Sequence, residues 1–213
     1  MPFPIIPEAK EKVTKICIKY LEAEEIAITG SENVSDNAIY TAQKIILTIT
    51  SKRPEIRREL SDFTCILVAR GENVASYLDL DENDPNYNHG CTLYPDKNNE
   101  FPGYLASVVE WENQPDMGVF LHELAHAIMY AIRQLSPNFY SALEQSYNTS
   151  IASKTWDRNP RSSQNVEEYW AEGVRMWYYI GEFESREAFK EYDQGLTSLI
   201  DDWLSADEIP KTY

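Results

Sequence analysis

Apolar positions along the chain follow two periods. Phe63 to Ala69 is a continuous apolar run of strand length, and Tyr104 to Glu110 (Leu105, Val108, Val109) and the short run Ile26 to Thr29 read as further strands. Elsewhere the spacing is three to four, the period of a helix with one buried face. It predicts helices over 8–24, opened by Pro7 with a stripe of Ile16, Cys17, Tyr20 and Leu21, and over 37–51, capped by Ser35 or Asp36. Others follow from Pro54 to Leu60, over 118–131, 138–149 and 166–180, and over 185–204 through Phe189, Tyr192, Leu196, Leu199, Ile200 and Trp203. Residues 71–102 are crowded with Asp, Asn, Gly and Pro and read as a polar loop, of the kind that borders a substrate cleft. No repeat or linker divides the chain. The pattern predicts one α+β domain over 1–213, mostly helical with a small mixed sheet. Its parts are a helical amino-terminal portion with a strand (1–70), the polar loop and a strand (71–116), and a helical portion (117–213).

The segment 118–131 is the unusual one. Val119, Phe120, Leu121, Leu124, Ala125, Ala127, Ile128 and Met129 coat it almost all round, as in a helix destined for the interior. Yet it carries His122, Glu123 and His126, which burial penalises unless something compensates them. Residues four apart project from one helix face, so the two imidazoles can grip one tetrahedral zinc ion, with Glu123 directed at a water on that ion. The competing reading is a pair of buried, hydrogen-bonded histidines. Two of the chain's three histidines are spent in this apolar setting, which favours the metal.

Composition narrows the classes. Hydrophobic residues make up 43% of the 213 residues and aromatics 12%, the range of a globular protein. No window approaches the roughly 18 apolar residues of a membrane span. A formal charge of -16 argues against nucleic acid and anionic membranes as partners and implies a solvated acidic surface. A peptide or protein substrate and a monomer fit better. Cys17, Cys65 and Cys91 include no Cys-x-x-Cys pair, so a structural zinc site of that kind is not expected. His89 reads as an exposed loop histidine. Asp79, Asp81 and Asp84 lack the spacing of a calcium loop. The start, Met1-Pro2-Phe3-Pro4, lacks a secretion signal, which leaves a cytoplasmic protein or a secreted one numbered without its leader.

A catalytic zinc needs three protein ligands and one open position. The 166–180 helix offers Glu168 and, one turn on, Glu172, with Arg175 continuing that face. Glu168 is the expected third ligand, and Glu172 is placed to hold an imidazole N–H. The competing reading is a surface ladder of ion pairs among Glu168, Glu172 and Arg175.

The pair His122-Glu-Leu-Ala-His126-Ala and Glu168-Tyr-Trp-Ala-Glu172 resembles the zinc peptidase domain of anthrax lethal factor and its relatives, which include clostridial proteases that cut between prolines. The likeness runs by motif from Met117 to Leu204. It implies a zincin-like active-site helix, with His122, His126 and Glu168 binding zinc, Glu123 as general base and Glu172 as the supporting acid. That family places a tyrosine seven residues before the third ligand, to stabilise the tetrahedral intermediate. This chain has Arg161 there, with Tyr147 and Tyr169 as other candidates for the donor. The expected activity is zinc-dependent endopeptidase cleavage, in which Glu123 takes a proton from a zinc-activated water and passes it to the leaving amine. The alternatives are a zinc-binding domain that acts through protein contacts without catalysis, favoured by Arg161, and a metal-free helical interaction domain.

Overall fold

Phe63–Val68 (β3) is buried along its whole length, which explains why its sequence is apolar without alternation. Both of its neighbours run parallel to it, Ile26–Ser31 (β2) on one side and Gly103–Glu110 (β5) on the other, and a parallel centre is covered on both faces. Cys17–Ala23 (β1) and Gly90–Leu93 (β4) close the two edges as antiparallel strands, in the order β1-β2-β3-β5-β4, and Gln114–Pro115 (β6) pairs with the end of β5. This is a computed structural model, and it describes residues 15–78, 80–84, 89–95, 103–110, 114–115, 117–157, 159–178 and 183–210.

One face of the sheet carries the larger core. Asp36–Ile49 (α1) lies on it, capped by Ser35 Oγ accepting from the Ala38 amide at 3.1 Å. Glu55–Glu59 (α2) and Met117–Leu135 (α4) pack there too, with Cys65, Leu67 and Leu105 beneath them. Val74–Leu78 (α3) covers the opposite face over Ile66, Val68, Tyr104 and Ala106. Phe139–Ala152 (α5), Val166–Tyr178 (α6), Arg186–Tyr192 (α7) and Gln194–Trp203 (α8) extend the larger core. The result is an α+β domain, mainly helical, around a small mixed sheet. Among the described residues no helix is long and apolar enough to cross a membrane.

Three expectations are corrected. Residues 17–23 form an edge strand, not the end of a helix over 8–24, because they pair with β2 across a turn in which Glu24 takes φ 55; residues 8–14 lie outside those described. The segment 71–102 is not all loop, since it contains α3 and β4, with Cys91 buried in the strand. The helix expected over 185–204 is two helices meeting at Asp193. The Asp193 carboxylate caps α8 through the Leu196 amide (3.0 Å) and receives Trp156 Nε1, Ser150 Oγ and the Tyr169 hydroxyl at 2.7–2.8 Å. A buried charge with four donors is tolerated where a continued helix turn is not.

Candidate metal centre

Helix α4 enters the core with its motif face turned toward α6, and the two helices are tied by Trp170 Nε1 donating to the Ala125 carbonyl at 2.9 Å. That bond lies within the motif, so it fixes α6 against the turn that carries His122 and His126. The ligand face of α6 then meets both rings. Glu168 Oε2 is 3.4 Å from His122 Nε2, Glu168 Oε1 is 3.4 Å from His126 Nε2, and the two ring nitrogens are 3.1 Å apart. Among the described residues this is the one group of three or more His, Cys, Asp or Glu side chains close enough to share a cation. Tetrahedral zinc with bonds of about 2.0–2.1 Å separates its ligand atoms by about 3.3–3.4 Å. Each Glu168 oxygen stands at that spacing from one ring nitrogen, and with one ligand atom from each residue the three lie within 4.8 Å of one another. Two imidazoles with one carboxylate are a suitable donor set.

The charges point the same way. Glu168 is held well below the usual carboxylate range: burial works against this, but its interactions with His122, His126 and Arg161 outweigh it. Burial also opposes charge on His122, yet its bonds to Glu168 and Glu172 raise its pKa above that of a free imidazole. The pocket therefore favours a positive charge between these side chains, from a proton or a metal ion.

The supporting contacts are unequal. Glu172 Oε1 lies 2.9 Å from His122 Nδ1, while Glu172 Oε2 accepts from Arg175 Nη2 at 2.8 Å and Nε at 3.1 Å. His126 Nδ1 is buried with no hydrogen-bond partner among the described residues, so its ring lacks the bracing that Glu172 gives His122. Glu168 and Glu172 do not form an exposed ladder, since Glu172 is buried and Glu168 faces the rings.

Arg161 comes from the loop before α6. Its Nε donates to Glu168 Oε2 at 2.9 Å and its Nη2 approaches His122 Nε2 at 3.1 Å, while 56% of the side chain stays exposed. Of the three donor candidates it alone lines the cleft over the centre, a cavity of about 1060 Å³. Tyr169 is not at the centre; its hydroxyl joins the Asp193 network, where burial and the Asp193 charge push its pKa up. Tyr147 also points elsewhere, donating to the Ser163 carbonyl at 2.9 Å and bracing the loop that carries Arg161.

Glu123 lies in the same cleft, buried, with Thr92 Oγ1 at 2.8 Å from both its Oε2 and its carbonyl oxygen. Sequence reasoning missed Thr92 and Gly90, because both fell within a stretch read as loop. The short run Gly90-Cys91-Thr92-Leu93 was the available signal. His89 is exposed at the rim of the cleft. Asp79 lies outside the described residues; Asp81 Oδ1 accepts from the Asn83 amide within its own turn, and among the described residues no group that could share a cation gathers there. Comparisons of the chain with protein-family models, curated proteins and solved structures find no significant match.

Proposed function

We propose that the protein is a zinc-dependent endopeptidase, with His122, His126 and Glu168 as metal ligands and Glu123 as general base. The observation that carries this reading is the convergence of two imidazoles and one carboxylate from two helices, one ligand atom of each within 4.8 Å of the others, beside a buried carboxylate that shares their cleft. A zinc ion held by this set supplies Lewis acidity, acidifying water and polarising a carbonyl.

The remaining chemistry belongs to the side chains. Glu123 accepts a proton as the water oxygen bonds to the scissile carbon. It then returns that proton to the amide nitrogen as the C–N bond breaks. Glu172 holds His122 by its Nδ1, which keeps Nε2 aimed at the ligand cluster. Arg161 supplies N–H groups at the edge of the cleft, where negative charge develops on the carbonyl oxygen.

The test pairs metal analysis with a peptide-library digest read by mass spectrometry. One zinc per chain and cleavage by the wild type are expected, with Glu123→Gln keeping the metal and cutting about 10²–10⁴-fold more slowly. Cleavage by Glu123→Gln at the parental rate would refute the mechanism. A zinc-binding domain without catalysis is the second reading. It is favoured by the two hydrogen bonds that Arg161 makes to the ligand side chains, and it predicts bound zinc with no cleavage.

A further inference from the structure

Strand β4 does more than wall the cleft. Residues 90 and 92 share one face of the strand, toward α4, while Cys91 turns into the core under α3. A Cβ at position 90 would stand 2.5 Å from Val119 Cγ1 and 3.0 Å from Glu123 Cγ. Glycine there is what allows the strand to lie this close to the helix, and the closeness brings the Thr92 hydroxyl within 2.8 Å of Glu123 Oε2. The hydroxyl has one proton for two acceptors. The side-chain oxygen is the more available of them, because the Glu123 carbonyl lies within α4 and is already positioned for its helix bond.

We propose that Thr92 is the positioning residue for Glu123. It holds Oε2 against the strand, so that Oε1 is the oxygen presented for proton transfer. A glutamate side chain otherwise turns about three bonds, and a base displaced by an ångström loses much of its effect. Thr92 does this without charge, so it fixes direction and leaves the balance of the ligand cluster alone. The proposal rests on the hydrolase reading and adds a residue from outside the two motif helices.

The experiment compares wild type, Thr92→Val and Thr92→Ser on one fluorogenic peptide taken from the wild-type library digest, with zinc content measured for each. Valine keeps the shape and loses the hydroxyl; serine keeps the hydroxyl. Thr92→Val is expected to retain zinc, to hold KM within about twofold and to lose about tenfold in kcat, with Thr92→Ser recovering most of the loss. An unchanged kcat in Thr92→Val overturns the proposal, as does an equal loss in both variants, which would assign the effect to shape. A raised KM at constant kcat would make Thr92 a substrate contact instead, and loss of zinc would make it part of the metal framework. A wild type that holds zinc yet cleaves nothing overturns the hydrolase reading and this proposal together. Wild-type cleavage with Thr92→Val unimpaired overturns this proposal alone.

Discussion

Glu172 decides the protonation pattern of the centre. Burial alone would raise its pKa, but the bonds from His122 and Arg175 bring it down to about 2, so it is ionised at any working pH. An ionised carboxylate only accepts, so His122 donates from Nδ1. A neutral ring bonded this way offers its Nε2 lone pair to a metal. Replacing Glu172 with alanine removes that bond and the two bonds that Arg175 donates to Glu172 Oε2. Zinc affinity is expected to fall about 10–100-fold, read by competition with a chelating dye. Glu172→Gln, which keeps an acceptor oxygen, should lose less. Equal affinity in all three proteins would mean that packing alone sets the His122 ring.

At the scale of elements, the centre depends on how α4 and α6 are joined. Trp170 donates to the Ala125 carbonyl and stacks edge-on against Phe139 at 5.2 Å, and Gly173 lets Leu196 of α8 press against the back of α6. Trp170→Phe removes the bond and keeps most of the ring. A loss of about 1 kcal/mol is expected, or a Tm lower by about 2–4 °C in calorimetry of the metal-stripped protein. No change in Tm would mean that the bond adds nothing to apolar packing. These two helices were the legible part of the chain. Their apolar stripes are long, and His122 with His126 and Glu168 with Glu172 are each spaced four apart, so local periodicity put each pair on one face of its helix; that the two faces meet was expected only from the third ligand a catalytic zinc needs and from the family resemblance. What stayed hidden was non-local. Residues 17–23 are a strand only because β2 lies beside them, and the break at Asp193 exists because Trp156, Ser150 and Tyr169 arrive from two other segments. Thr92 was hidden for the same reason, since its partner is 31 residues away on another element.

For the molecule as a whole, the three cysteines report how the two cores close around the sheet. All are free and buried, Cys65 in the larger core and Cys17 and Cys91 in the smaller. Burial pushes the thiol of Cys17 up to about 11; burial, helped by the Glu123 charge, pushes that of Cys91 up to about 12. The folded state therefore keeps these protons more tightly than an unfolded chain, whose thiols ionise near 8.5. Below that pH both states are protonated and the contribution to stability is fully present. As pH rises, the unfolded chain ionises first, and stability drains away until the folded thiols ionise near 11 and 12. Urea midpoints should fall steadily from pH 8.5 to 11, and Cys17→Ala or Cys91→Val should each flatten that slope. At pH 8 a thiol reagent should find no reactive cysteine in the native protein and three in denaturant. Rapid reaction of Cys17 or Cys91 in the native state, with Cys65 protected, would mean that the smaller core opens as a separate unit, and because Cys91 and Thr92 are neighbours on β4, that opening would also disturb the strand that touches Glu123.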